Sequence, residues 1–334
     1  MGIKLAIYGY DTDIGQLVLE TLNEQALAID EIFPLSPLQG EYDAIKVNGT
    51  NYFVQAVDSF DFTKANIALF LTTKDESERL VKKAKEAKCT VIDNSRLFSN
   101  SDKLKPVIPE INPYDIKEAM SENLVVPPLA STLQVALLLN ALHNEYGVDR
   151  ATICALESVS EHGRLGTQTL AHETTLLLNG MSPDHQGFEA QLAFNLHNRV
   201  GEVLEDGYCM QESIIKNQLQ KVLGQFKYGL DVTCIQVPVF YGHTAIINVD
   251  LEDATNISEI EDVLKQDPNL EYIGNDKLLS PVDDIINQRK VLISRLRQTN
   301  KTGKSFSLVA MIDNSRRGEA ICLVELVKLV AKNV

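Results

Sequence analysis

The sequence predicts an α/β protein whose first part is a doubly wound parallel sheet and whose second part carries a sheet covered on one face. Three observations support this. Short apolar runs alternate with helical stretches up to about residue 127. The first run leads into a turn bracketed by glycines, Gly9 and Gly15, ahead of a helix. From about residue 150 the chain turns to long stretches rich in β-branched residues.

"IKLAIY" (3–8) is the first strand, and Ile14–Asn23 is a helix entered through "GYDTDIG". "IALFLT" (67–72) is a second buried strand, and Glu76–Lys88 has the spacing and charge of an amphipathic surface helix. "CTVIDN" (89–94) and "NLVVP" (123–127) supply two further strands, all apolar enough for the parallel arrangement that buries both faces. Two prolines break the last strand, and "PPLAST" (127–132) leads to a helix that Ser131 or Thr132 is placed to cap. "ATICALESVS" (151–160) and "LDVTCIQVPVFYGHTAIINVDLE" (230–252) read as long strands, the second with partial alternation. Helices Gln168–Asn179 and Met210–Leu223 lie between them. "VLISRLRQTNKTGKSFSLVAMIDN" (291–314) is a hairpin turning at Lys-Thr-Gly-Lys, and Gly318–Lys332 is an amphipathic helix suited to return to the first domain.

A length of 334 residues exceeds one compact core, so two domains are expected. A net charge of -15 excludes a nucleic-acid backbone and an anionic membrane surface as partners. The start, "MGIKLAIYGYDTDIGQ", lacks the features of a signal peptide, and the most apolar stretch, 133–139, is far too short to span a bilayer. The five cysteines are scattered without any C-x-x-C, which fits reduced buried thiols and a cytoplasmic protein.

A nucleotide at the first turn would meet Gly9, Thr12, Asp13, Ile14 and Gly15. The place of the glycine that admits a pyrophosphate is taken by Thr12, with Asp11 and Asp13 on either side. Their carboxylates would neutralise the positive helix end that a phosphate uses. This turn therefore reads as a capped helix with no NAD(P) or only weak NAD(P) binding.

"VIDNSRLF", "PVIPEIN", "ASTLQVALLLNALHNEYGVDRA", "AFNLHNRVGEVLEDGY", "TCIQVPVFYGHTAIINV", "SRLR" and "IDNSRRGEA" follow one another as in one family. The chain resembles the aspartate-β-semialdehyde dehydrogenases over essentially its full length. The resemblance implies a Rossmann-like domain (residues 1–127 and 319–334), an α+β dimerisation domain with mixed sheet (128–318), and a homodimer. Members of that family reductively dephosphorylate aspartyl phosphate with NADPH, through a cysteine in Asn-Pro-Asn-Cys-Ser-Thr. Here Ala130 stands at the cysteine's place, and Pro127 and Leu129 replace the asparagines. A methyl group forms no thiohemiacetal or acyl-enzyme.

The same resemblance places the acid/base histidine at His243, open to a structural reading at a sheet edge. It sets Gln236 at the arginine that grips the substrate carboxylate, and Glu157 at the glutamine of Gln-Ala-Val-Ser-Gly. The phosphate-binding arginine matches Ser99. A lysine and a glutamate of the helix after "DGY" fall on Ile214 and Gln218, with Lys216 as a shifted substitute. The segment that holds the cofactor's 2'-phosphate corresponds to "SPLQGE" (36–41), without arginine. With nucleophile and anion clamps gone together, the pattern is similar to the Usg-type paralogue of the family that lacks the catalytic cysteine. That implies a dimeric pseudoenzyme in a binding or regulatory role, with an unknown small molecule or protein as partner.

Two alternatives stay open. One is an enzyme of altered chemistry using Glu157, Glu161, His162, Arg164 and His243, against which "SEHGR" reads as a solvated loop. The other is a nucleotide sensor without catalysis. No metal site is expected, since His172–Glu173 lacks the second histidine of a zinc helix, and His185 and His197 show no ligand spacing. "SRLR" and "DNSRRG" are basic, either an anion pocket or partners for interface carboxylates.

Overall fold

In a computed structural model that describes residues 2–37, 43–224, 226 and 229–333, the chain divides into two units. One runs up to Pro128 and takes in the chain from Glu319 onward; the other is Leu129–Gly318.

The first unit begins with β1 (Lys4–Tyr8), α1 (Asp13–Glu24), β2 (Glu31–Ser36), a hairpin of β3 (Ala44–Val47) and β4 (Thr50–Phe53), and β5 (Gln55–Ala56). It continues with β6 (Ile67–Phe70), α2 (Lys74–Glu86), β7 (Thr90–Asp93), α3 (Ile116–Ser121) and β8 (Leu124–Val125). Six of the strands form a wholly parallel sheet in the order β5-β2-β1-β6-β7-β8. All four residues of β6 and of β7 are buried, as expected for strands covered on both faces. Because β1 lies between β2 and β6, the chain leaves its first strand in both directions, and the turn after Tyr8 sits at the switch point.

That turn is tight for physical reasons. Gly9 has φ +86, a left-handed conformation that favours glycine. A Cβ on Gly15 would lie 2.2 Å from the Gly9 carbonyl oxygen, so only glycine lets α1 start this close to β1. The Thr12 hydroxyl donates to the Gly9 carbonyl and accepts the Gly15 N–H, while Asp11 and Asp13 are exposed. Thr12 is therefore the cap. A hydroxyl, not a carboxylate, takes the Gly15 N–H, while Asp13 lies in the helix's first turn, where its charge meets the positive helix end. Of the stretch expected at a cofactor phosphate, 36–41, residues 38–41 lie outside the described residues.

The second unit comprises α4 (Ala130–Tyr146), β9 (Val148–Glu157), α5 (Gly163–Leu178), α6 (Met210–Leu223), β10 (Gly229–Gln236) and β11 (His243–Leu251). Helix α7 (Ile257–Gln266) and strands β12 (Leu270–Gly274), β13 (Val291–Gln298) and β14 (Ser305–Ile312) follow. Six strands make a mixed sheet ordered β10-β9-β11-β14-β13-β12. Strand β10 runs parallel to β9 and β12 parallel to β13, while the other neighbours are antiparallel. Burial alternates along β9 and β11, and α4 packs on β9, β11 and β14. The fold is thus α/β, with a Rossmann-like parallel sheet and a separate mixed sheet. Helix α8 (Cys322–Ala331) belongs to the first unit, where it meets α1, α3, β6 and β7.

Two expectations are corrected. The stretch 230–252 is two strands, β10 and β11, on opposite sides of β9, because Gly242 adopts φ +92 and the chain turns there. Helix α4 begins at Ala130 with Leu129 as its cap, and neither Ser131 nor Thr132 caps it. Both lie inside the first turn, past the position from which a hydroxyl reaches back to N2 or N3.

Replacing Gly15 by Ala is expected to lower stability by about 3 kcal/mol, the upper end for a forced overpacking contact. Urea unfolding of the variant beside the wild type measures it.

Candidate functional site

Sheet register brings the predicted residues together. Gln236, the last residue of β10, is paired with Glu157, the last residue of β9. His243, the first residue of β11, stands at the same end of the sheet, on the far side of β9. All three are buried, and the period-two alternation puts them on the face that also buries Ile153, Ala155 and Ala245.

After Glu157 the chain makes a short turn, Val159–His162, that carries Glu161 back over the sheet end. The turn is tied to the segment ahead of β11, since the Val159 N–H donates to the Val239 carbonyl and the Ser160 N–H to that of Phe240. Asn314 braces both pieces: its Oδ1 accepts from the Gly242 N–H at 2.9 Å, and its Nδ2 donates to Ser160 Oγ at 2.9 Å.

Glu157, Glu161 and His243 consequently converge, each offering a ligand-type atom within 4.8 Å of the others. His243 Nε2 lies 3.1 Å from Glu161 Oε2. On the other side of the ring, the Ser158 N–H donates to Nδ1 at 3.1 Å, and Ser158 Oγ lies 3.0 Å away. A backbone N–H can only donate, so the Nδ1 lone pair faces it and the ring proton sits on Nε2, pointing at Glu161. Gln211 Nε2, from the first turn of α6, donates to Glu157 Oε2 at 2.9 Å and to Glu161 Oε1 at 2.6 Å. The Ser131 hydroxyl, from α4, donates to Glu157 Oε1 at 2.6 Å.

A metal ion at this trio would need the Nε2 lone pair, hence a proton on Nδ1 facing the Ser158 N–H. The observed hydrogen bond opposes that, so the cluster fits hydrogen-bonded carboxylates better than a metal.

Two readings of the sequence change here. The stretch "SEHGR" is not a solvated loop throughout: His162 and Arg164 are exposed, but the Glu161 carboxylate is drawn inward by His243 and Gln211. His243 is not at a sheet edge, because β11 is an inner strand held between β9 and β14.

The other predicted positions are distributed as follows. Gln236 Nε2 donates to the Glu157 carbonyl at 2.6 Å, and its Oε1 lies 2.9 Å from His162 Nε2. Ala130 is buried at the start of α4, and a Cβ on Gly318 would come within 2.5 Å of its methyl group. Gln218 is spent on the helix end, its Oε1 accepting the Leu129 N–H at 3.0 Å. Lys216 lies over the Tyr208 ring at 4.1 Å, and Ile214 is buried. Ser99 is buried in the first unit. Glu173, of the rejected zinc pattern, instead accepts from the Leu192 and Ala193 N–H groups and meets His185 Nδ1 at 2.9 Å. Gln211, Ser158 and Asn314 escaped sequence reasoning, since none lies in a spacing that signals chemistry.

The thiols of the second unit are poor nucleophiles. Burial, and then the Glu157 carboxylate, push the Cys234 thiol far up; burial also raises Cys154 and Cys209. A pocket of ≈ 560 Å³ lies beside the cluster, lined by His162, Phe188, His197, Arg199 and Gln236 among others. Among the described residues, no helix is long and apolar enough to cross a membrane.

Parallel sheet, glycine turn and mixed-sheet unit together define a two-part dehydrogenase-type protein. Residues 4–119 match the family model for the semialdehyde dehydrogenase NAD binding domain, and residues 139–317 match that for the semialdehyde dehydrogenase dimerisation domain. The chain belongs to the aspartate-semialdehyde dehydrogenase family. It is 30% identical over 330 residues to aspartate-semialdehyde dehydrogenase 2 of Vibrio cholerae, covering 99% of this chain and 98% of that protein. A Vibrio cholerae aspartate semialdehyde dehydrogenase II solved in complex with ASA superposes with a TM-score of 0.93 at 29% identity, covering 100% of this chain and 99% of that one. A probable aspartate-semialdehyde dehydrogenase from Pseudomonas aeruginosa gives 0.90 at 26%, with 99% of each chain covered.

Gln211→Leu removes one donor from each of two buried carboxylates. It is expected to lower stability by about 3 kcal/mol, the scale of losing hydrogen bonds to charged groups. Chemical denaturation at neutral pH checks this, with Gln218→Leu for comparison.

Proposed function

We propose that this member of the family performs no semialdehyde dehydrogenation and acts as a homodimeric binding or regulatory protein of the Usg type. The observation that carries this reading is Ala130. The first residue of α4 offers a methyl group where the family's reaction needs a thiolate. The relatives bear the names of active enzymes, so the proposal is a departure from them. Supporting it, Gln236 and Gln218 are engaged with the chain itself, and Glu157 adds negative charge where the family has a neutral amide. A homodimer rests on the dimerisation-domain match.

Nucleotide binding at the first turn is proposed to be weak. The Gly15 N–H, one of the few donors at the helix end, is already bonded to Thr12. As built, the turn fits its own cap better than a pyrophosphate.

One observation favours the alternative of an enzyme with altered chemistry in the same cleft. His243 has its proton held by the Glu161 carboxylate and its Nδ1 lone pair shared between the Ser158 N–H and Oγ, which places a histidine–hydroxyl pair of the kind general-base chemistry uses. Ser158 is fully buried, however, which favours the first reading.

Two measurements test the proposal. Phosphate-dependent NADP reduction with aspartate semialdehyde is expected to be undetectable for the wild type. It is also expected to stay undetectable for Ala130→Cys, because Glu157 and Gln236 would still stand where the family has its substrate-holding glutamine and arginine; turnover by the wild type would sink the reading. Titration with NADPH, followed by fluorescence, is expected not to saturate in the micromolar range, and Thr12→Gly is expected to tighten whatever binding exists.

A further inference from the structure

We propose that the first unit holds a binding site for a free α-amino acid with a large apolar side chain, in a cavity of ≈ 540 Å³ between α3 and residues 98–105. The volume is that of a small-molecule pocket. Its remaining walls are the last turn of α2 and Leu124, the first residue of the edge strand β8. The end of α2 and the start of β8 lie at the end of the parallel sheet opposite the Gly9–Gly15 turn. The cavity is therefore separate from the place where such folds hold a nucleotide.

Its floor is apolar and uncovered. Phe98 and Leu104 pack on the core that contains Val91 and Leu124, yet both remain only half-buried where they line the cavity. Covering them with an apolar side chain is favourable, and an aromatic ring adds contact with Phe98. Both sit on a loop braced from within. The Ser101 N–H donates to the Phe98 carbonyl at 3.1 Å, and the Leu104 N–H donates to Ser101 Oγ at 3.3 Å. The floor is thus set before a ligand arrives, which lowers the ordering cost of binding.

The two sides of the cavity differ in sign. Asp115, Glu118 and Glu122 follow helical spacing along α3 and its ends, whereas Lys103 and Lys105, two residues apart, come from the segment across from it. Lys105 meets Asp115 at 3.6 Å and Lys85 meets Glu122 at 3.9 Å, both too long for hydrogen bonds. The Glu118 carboxylate, between the two paired acids, and the Lys103 ammonium have no partner among the described residues. A simple anion or a simple cation would answer only one of them. A zwitterion answers both, with its α-carboxylate at Lys103, its α-ammonium at Glu118 and its side chain laid on Phe98 and Leu104.

This site needs neither Ala130 nor a nucleotide, so its test is independent of the non-catalytic reading. The full chain is titrated by calorimetry with L-phenylalanine, L-alanine, L-phenylalaninamide and N-acetyl-L-phenylalanine. L-Phenylalanine is expected to saturate with a dissociation constant of about 1 mM or tighter, and each of the other three to bind at least about tenfold more weakly. Lys103→Met should weaken L-phenylalanine by about tenfold and leave the amide unchanged. Glu118→Gln should weaken it to the same degree and leave the N-acetyl compound unchanged. Both positions are exposed, so both variants are expected to fold. Amide shifts of the ¹⁵N-labelled wild type, expected to move at Leu104 and Ala119, give a readout that needs no variant. Absence of saturation by L-phenylalanine at about 20 mM, equal binding of L-alanine, indifference to both substitutions, or shifts confined to other parts of the chain each overturn the inference.

Discussion

Gln211 gives one amide hydrogen to each of two buried carboxylates, and the end of the mixed sheet is arranged around that sharing. Charges taken from water need strong partners, and two of like sign repel at short range. A single NH2 group with its hydrogens set apart fixes the separation between Glu157 and Glu161. Its own position is fixed in turn by the start of α6. There the Glu212 side chain accepts the Cys209 N–H at 2.7 Å in a capping box and, with its other oxygen, the Cys234 N–H at 2.8 Å. The same carboxylate thus starts the helix and pins it to the middle of β10. Register does the rest, because a slip of one residue in β9 or β10 would turn Glu157 or Gln236 to the other face.

Much of this architecture could be read from the chain. The parallel strands announced themselves as apolar runs, the bounds of α6 coincide with those expected, and the hairpin β13–β14 forms across the predicted turn. What could not be read depends on partners distant in sequence. Residues 230–252 look continuous because their composition suits a strand throughout. The break at Gly242 is enforced by Asn314, 72 residues away, which accepts the glycine's N–H. Glu161 lies among polar neighbours whose pattern is that of a surface. Only the return of the turn over β11 makes it a buried acceptor, a matter of tertiary placement that local pattern does not encode. Gln211 and Gln218 look like ordinary helix amides, yet each is bonded to a segment far along the chain.

The turn ahead of α4 shows an apolar stretch at a helix start tied to a second helix. Its first residues offer no side-chain cap. The Leu129 N–H is taken by Gln218, and Ser131, inside the first turn, delivers its hydroxyl to the Glu157 carboxylate. Close approach at Ala130 requires Gly318, where any side chain would strike the alanine methyl.

These three features belong to one physical pattern. A helix N-terminus, a neutral imidazole presenting its Nε2 proton, and a bridging amide are each suited to negative charge, and in this chain each meets a carboxylate or an amide oxygen of the chain itself. The cluster therefore keeps the electrostatic logic of an anion site while supplying the anions internally. Such self-satisfaction stabilises the buried end of the sheet without a ligand. The same donors that would orient a bound carboxylate instead hold α4, α6 and the turn after β9 in register.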